Sequence, residues 1–361
     1  MIRHLSCCAA PVVLAALIAL PAPAATYLVR PDGTGDFATI QLGIYAAADG
    51  DIIELADGVF TGDGNRDIDY FGKAITIRSQ SSNAGACIIN CEADDDERHR
   101  GFYFHSGEGG ESVLENVTIH DAYAPYDYEG DWGGGILCDA SSPLITGCRI
   151  TECYAGWGGG MLCIYNASPA ITDCLFDGNQ GRVNGGGLYC SGGSDPILTR
   201  VTFTGNRSVD KGGAVVCNGA SPTLIHCTLA KDNAAHYGSG LWSLGGAEPV
   251  FTNTIIAFGT HGGAVLCEGG MATMICCDIY GNAGGDWTGC IANQLGIGGN
   301  ISADPRFCDL DNEDYTLADD SPCAEENNVE CGQIGAWGIG CSHPTPVEMT
   351  TIGRIKSGYR N

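Results

Sequence analysis

The chain has 361 residues, with 43 Asp or Glu against 17 Lys or Arg and a formal net charge of −26 at pH 7. So acidic a surface excludes nucleic acid as an expected partner and disfavours anionic membrane surfaces, since both are bound through an excess of basic residues. Glycine is abundant, at 55 residues, without the three-residue period of collagen, which indicates a fold with many tight corners.

The first 25 residues have the parts of a secretory signal peptide. Arg3 and His4 form a basic start, residues 9–20 are apolar, and Ala22 begins a small-residue cleavage site. The apolar part is too short to cross a bilayer, and no later segment reaches 18 apolar residues. We therefore expect a secreted or cell-surface protein that is not membrane-spanning.

Residues 26–60 are predicted to form an N-terminal cap. A short strand and an Asp-Gly turn lead to an amphipathic helix through Ile40 and Ile44, with Asp36 or Thr39 as its N-cap. Such a helix would cover the open end of a stacked fold, where unpaired strand edges would otherwise be exposed. Farther on, the acidic insert 93–100 is interpreted as a solvated surface turn in preference to a metal site.

A repeated unit dominates residues 131–267. Six glycine-rich starts are followed by short apolar runs, and a Pro comes about ten residues later in most units. The sixth residues of these starts are Cys138, Cys163, Cys190, Cys217, Ser243 and Cys267. The spacing of 24 to 27 residues is typical of solenoids, whereas propeller blades need about 40 residues or more.

The apolar runs have strand composition, because they are three to five residues long, rich in Ile, Val, Leu and Thr, and bounded by turn residues. Three such strands per unit predict an all-β parallel β-helix of roughly nine or ten coils. Equivalent residues of successive units would then lie above one another, about 4.8 Å apart. The predicted domain spans residues 26–341, with residues 286–341 as its C-terminal closing segment and 342–361 as a linker and basic tail.

The Gly-Gly-(Gly/Ala)-x-x-Cys and Ser-Pro markers resemble those of right-handed parallel β-helix repeat proteins of the polymorphic outer membrane protein type. More broadly they resemble the pectate-lyase-like superfamily, over about residues 26–341. The resemblance implies a right-handed β-helix. It implies no particular activity, since a fold does not fix a function.

An aromatic loop interrupts the repeat at residues 122–132. In each later unit the residue before the glycines occupies one column, so Trp132 and Trp157 should lie side by side on an outer corner. Aromatic faces with carboxylates nearby suit a sugar ring, although the same residues would also serve simply to cover the corner. The candidate substrate-binding residues are Tyr123, Tyr126, Asp127, Tyr128, Asp131, Trp132 and Trp157.

The cysteines fall into columns of their own. We expect an inward-facing stack of small apolar side chains with a few oxidised pairs, and the later Cys308, Cys323, Cys331 and Cys341 are better disulfide candidates. No CxxC pair or His cluster accompanies the columns, so no metal site is predicted. No cofactor is predicted either, although the acidic composition leaves Ca²⁺ binding open.

Two functions are compatible with the sequence, which identifies no catalytic residues. The favoured one is a monomeric secreted or surface β-helix that acts as a structural, adhesive or glycan-binding module, with a polysaccharide or cell-surface glycan as partner. The alternative is a polysaccharide lyase that acts on an acidic polysaccharide. The regularity of the repeat favours the first, because a catalytic site usually breaks a repeat.

Overall fold

A computed structural model of the protein describes residues 23–124 and 131–342. Its strands form long parallel sheets in which each strand pairs with the equivalent strand of the next coil. The first sheet has ten strands, which are Thr26–Val29, Ile52–Leu55, Thr76–Ser79, Val113–Glu115, Leu144–Thr146, Ala170–Thr172, Ile197–Thr199, Thr223–Ile225, Val250–Thr252 and Thr273–Ile275. The fold is thus an all-β parallel β-helix, as the sequence predicts.

Three further sheets complete the coils. The second has the strands Gly58–Phe60, Cys87–Asn90, Thr118–His120, Arg149–Thr151, Leu175–Asp177, Thr202–Thr204, Thr228–Ala230, Ile255–Ala257 and Asp278–Tyr280. The third, which follows the glycines, has Ile68–Asp69, Phe102–Phe104, Ile136–Asp139, Met161–Ile164, Leu188–Ser191, Val215–Asn218, Leu241–Leu244 and Val265–Glu268. A short fourth sheet precedes the third in the central coils, with Tyr154–Trp157, Gln180–Asn184, Arg207–Ser208 and Asn233–Ala234.

The register of the coils is the one predicted from the repeat. Cys138 pairs with Cys163, Cys163 with Cys190, and Cys190 with Cys217. From Thr76–Ser79 onward, the second residue of each first-sheet strand points inward, which gives a buried ladder of Ile77, Leu114, Ile145, Ile171, Leu198, Leu224, Phe251 and Met274. Each buried apolar side chain stabilises the fold by about 1.5–3 kcal/mol, so this ladder is a main source of its stability.

The glycine triplets serve two purposes. The first glycine of a triplet turns the chain at positive φ, as Gly158 does at 64°. The second is required by the neighbouring coil, because a Cβ on Gly159 would lie 2.4 Å from the carbonyl oxygen of Gln180. The first position therefore needs glycine for its positive φ, and the second needs glycine because the backbone of the next coil lies so close.

The N-terminal helix spans Ile40–Ala46. Thr39 is the N-cap, since the Thr39 hydroxyl accepts a hydrogen bond from the N–H of Leu42. Ile40 and Ile44 are buried against the first coils. Three short 3₁₀ helices, Ala84–Ala86, Gly289–Ile291 and Glu325–Asn327, lie outside the sheets. The predicted cap helix is thereby confirmed.

Most described cysteines are buried free thiols, in agreement with the predicted inward stack. Three disulfides are present, Cys267–Cys290, Cys276–Cys331 and Cys308–Cys341. The expectation that Cys323 is oxidised is wrong. Its thiol is buried 3.2 Å from the carboxylate oxygen Oδ2 of Asp278.

The C-terminal segment, residues 302–342, folds back over the outer face of the second sheet. Its strands Phe307–Asp309, Asp314–Ala318 and Ile339–Cys341 form a small separate sheet. Trp337 donates a hydrogen bond from Nε1 to the Thr202 hydroxyl (2.9 Å), and Cys331 is tied to Cys276. The segment therefore adds a second layer along one side of the solenoid.

Parts of the predicted ends fall outside the described residues, namely positions 1–22 of the signal peptide and 343–361 of the tail. The two described ranges contain no helix long and apolar enough to cross a membrane.

Candidate functional site

The aromatic corner, which comprises Tyr123, Asp131, Trp132, Tyr154 and Trp157, lies where the chain enters the third sheet. Trp132 and Trp157 form a parallel bridge, and the N–H of Gly133 donates to the carbonyl of Trp157 (2.9 Å). The predicted side-by-side placement of these two residues on one outer corner is therefore confirmed. Whether they bind a sugar stays a prediction.

The two indoles rest on an apolar surface outside the β-helix. Leu137, Leu162 and Tyr189 are consecutive outward-facing residues of the third sheet, and both tryptophans pack against this cluster while remaining partly exposed. The indoles therefore cover the corner and also present aromatic surface to solvent, so the contacts favour neither interpretation over the other.

Tyr123 occupies the same column as Tyr154, one coil away. Their rings meet edge to face with centroids 4.5 Å apart, and the guanidinium of Arg98 lies 4.0 Å above the Tyr123 ring. Tyr123 is only 8% exposed, and its hydroxyl donates to a carboxylate oxygen of Asp95 (3.1 Å). Burial raises the pKa of Tyr123 to about 12, so this phenol remains a neutral hydrogen-bond donor. Because Tyr123 is buried among these contacts, it supports the structure of the corner.

Asp131 is the buried carboxylate of the corner, at 2% exposure. Arg182 Nη2 lies 2.8 Å from its Oδ2, and Arg98 Nη1 lies 3.8 Å from the same oxygen. Its backbone carbonyl accepts hydrogen bonds from Gly156 and Trp157 (2.8 and 3.1 Å). Asp131 thereby holds the side chains of Arg182 and Arg98 and the backbone of the strand Tyr154–Trp157.

The arginines that lie at the corner were not predicted from the sequence. The insert 93–100 supplies Arg98 and also Arg100, whose guanidinium donates to the carbonyls of Gly133 and Trp132 (2.9 Å each). The interpretation of this insert as a solvated surface turn is wrong for Arg98 and Arg100, which pack on the corner, whereas residues 94–97 are exposed. Tyr154 could have been predicted, because the repeat places it one coil from Tyr123. No sequence pattern indicated Arg182, which lies in the strand Gln180–Asn184.

Tyr126, Asp127 and Tyr128 lie outside the described residues. In the ranges that are described, no group of three or more His, Cys, Asp or Glu side chains is arranged to hold a metal ion. The structure brings together at the corner the buried carboxylate of Asp131, several guanidinium groups and aromatic rings from adjacent coils. Such a set can hold a ligand by ring stacking and hydrogen bonds.

The fold and its repeats define a right-handed parallel β-helix protein. Residues 57–229 match the family model described as right handed beta helix region. No curated protein matches the sequence.

Two solved structures are similar to this chain over most of its length. Pectin methylesterase from carrot is 12% identical, with a TM-score of 0.46 over 78% of this chain and 88% of that one. Pectate lyase Pel9A is 16% identical, with a TM-score of 0.44 over 88% of this chain and 97% of that one.

Proposed function

We propose that the protein is a secreted or cell-surface β-helix module that binds a glycan at the aromatic corner. The observation that carries the proposal is the side-by-side placement of Trp132 and Trp157 on an outer edge, both partly exposed and both held by the same coil register. A sugar ring presents C–H groups on its faces, which pack well against an indole.

Polar groups beside the indoles supply the hydrogen bonds that sugar hydroxyls need. Arg182 is 44% exposed at its side chain although its Nη2 is held by Asp131. A guanidinium is a planar group with five N–H donors, which suits hydrogen bonding to the hydroxyls of a sugar. Because Asp131 fixes Arg182 and the neighbouring backbone, little ordering would accompany binding, which favours affinity.

Export fits this proposal. The three disulfides are of the kind that persists outside the cytosol, and the sequence begins with the features of a signal peptide. A cell-surface or extracellular glycan would be accessible there.

The proposal is tested with a glycan array followed by titration calorimetry on the best ligand. We expect Trp132→Ala and Trp157→Ala each to weaken binding about tenfold, since a good aromatic contact contributes roughly 0.5–1.5 kcal/mol beyond burial. Trp242→Phe is the matched control, because Trp242 lies on the same outer cluster but is 7% exposed and is covered by Lys211. Binding by both alanine variants at wild-type affinity would rule out the corner.

The lyase alternative is checked on the same preparation. Polymers of uronic acid are incubated with and without Ca²⁺, and the absorbance of the unsaturated product is followed. Under our proposal no product accumulates in either condition. A Ca²⁺-dependent rise in this absorbance that is abolished in Arg182→Ala would contradict the binding function and support the lyase alternative.

A further inference from the structure

The C-terminal segment leaves a groove between itself and the solenoid, away from the aromatic corner. The groove has a volume of about 590 Å³ and lies over the second sheet, whereas the corner adjoins the third. We propose that this groove is a second carbohydrate site, which binds a linear neutral oligosaccharide along the axis of the β-helix. This inference rests on the proposed function only in that both ligands are carbohydrates. The residues that line the groove are different from those of the corner.

The shape of the groove follows from the coil register. Asn83, Asn116, Gly147, Asp173 and Thr202 all line it, and they belong to five successive coils. At about 4.8 Å per coil, these residues extend over about 19 Å. The volume is within the range of ordinary ligand sites, about 300–1,000 Å³, and the elongated outline suits a short chain of rings.

Trp337 provides the aromatic surface at one end. Its side chain is 47% exposed, and its Nε1 donates to the Thr202 hydroxyl (2.9 Å), so the exposed face is held in one orientation. Tyr315, on the strand Asp314–Ala318 of the same segment, is buried, and its hydroxyl is hydrogen-bonded to Thr204. A large, half-exposed indole held in place by a hydrogen bond is a preformed platform for a sugar ring.

The wall that carries Trp337 is firmly attached to the solenoid. The Asn253 side-chain amide donates to the carbonyls of Cys331 and Gln333 (2.8 Å each), and Cys331 is disulfide-bonded to Cys276. At the opposite end, the Thr118 hydroxyl donates to the carbonyl of Ala84 in the turn that closes the groove (2.7 Å). Both ends are therefore formed before any ligand arrives.

The charges of the groove favour a neutral ligand. Asp173 is neutralised by Arg200, whose Nε and Nη2 lie 2.6 and 2.7 Å from its two carboxylate oxygens. Arg149 is exposed in the groove, and it has no ion-pair partner within 4.0 Å among residues 23–124 and 131–342. Glu313 and Asp314, both in the wall, outnumber that single positive charge, and the chain as a whole carries −26, so the groove repels long polyanions.

The test uses a Trp132→Ala/Trp157→Ala background, so that only the groove is examined. Cellotetraose, xylotetraose and mannotetraose are titrated by calorimetry, with tetragalacturonate as the charged comparison. We expect at least one neutral tetrasaccharide to bind, and Trp337→Ala to weaken it about tenfold. Thr202→Val keeps the indole but removes its anchor, and should give a smaller loss.

Three results would overturn the proposal. The first is the absence of binding by all three neutral ligands, and the second is wild-type affinity in Trp337→Ala. The third is equal or tighter binding of tetragalacturonate, which would contradict the choice of a neutral ligand. Because the corner is already disabled in this background, its own success or failure does not affect the outcome.

Discussion

Asn206 donates two hydrogen bonds to one oxygen of Asp232 in the next coil, from its backbone N–H and from its side-chain Nδ2 (2.9 Å each). Asn179 makes the equivalent pair of bonds to Asn206, and the Nδ2 groups of both asparagines also donate to main-chain carbonyls. Asp232 ends this ladder with an acid in place of an amide. Its Oδ2 is buried without a hydrogen-bond partner in the described part of the chain.

Replacing Asp232 with Asn should stabilise the protein at neutral pH. Burial raises the pKa of the Asp232 carboxyl well above its usual value, and nearby Asp177 adds to the rise. The folded-state pKa of Asp232 lies above the unfolded value of about 3.9. The contribution of the protonated Asp232 carboxyl to folding stability is therefore full below about pH 3.9, and it is lost as pH rises through the folded pKa. We expect Asp232→Asn to gain about 1–3 kcal/mol near pH 8 and almost nothing near pH 4.

Thermal unfolding followed by circular dichroism at several pH values measures this difference. Asp311→Asn is a suitable control, because Asp311 is exposed in the C-terminal segment and the change removes the same charge. A Tm below that of the wild type for Asp232→Asn near pH 8 would contradict the raised pKa of this carboxyl.

Gly159→Ala should be severely destabilising, because the added Cβ would lie 2.4 Å from the carbonyl oxygen of Gln180 and the coils would have to separate. We expect a loss of about 3 kcal/mol or more in the free energy of unfolding. Gly109→Ala has open space around its Cβ and should stay near wild type. Denaturant titration of both variants measures the difference, and equal midpoints would show that the coils are not packed this closely.

Removal of the Cys276–Cys331 disulfide should loosen the C-terminal segment. The bond joins residues 55 apart in sequence and fastens the wall of the groove to the solenoid, so Cys276→Ser/Cys331→Ser should lose about 2–4 kcal/mol. Limited proteolysis with mass spectrometry should then show faster cleavage within residues 302–342. The pair Cys267→Ser/Cys290→Ser is the comparison, because that bond lies outside this segment, and an unchanged cleavage pattern in the first variant would contradict the role proposed for the wall.

The thiols of the core should resist alkylation while the protein is folded. Burial raises the pKa of Cys87, Cys153, Cys227 and Cys277 to about 12, and only a thiolate reacts readily with iodoacetamide. At about pH 8 we expect no labelling of these four in the native state and complete labelling in concentrated guanidinium chloride. Peptide mapping reads out each site, and rapid native labelling would place these residues outside the core.

Some of this protein could be predicted residue by residue. Cys138, Cys163 and Cys190 are neighbours because a spacing of 24 to 27 residues equals one turn of the coil, and backbone hydrogen bonding then fixes the register. The same logic placed Trp132 beside Trp157 and would have placed Tyr123 beside Tyr154. Ile40 and Ile44 identified the cap helix through their four-residue spacing.

The sequence by itself determined the repeat, and with it the parallel coils, the inward cysteines and the tryptophan pair, because each depends on a period that recurs along the chain. Only the tertiary structure decided where the non-repeating segments lie. Arg98 and Arg100 reach the corner from an irregular insert, and Trp337 faces the groove because the C-terminal segment folds back over earlier coils. Their positions depend on long-range contacts that are made once and leave no periodic signal.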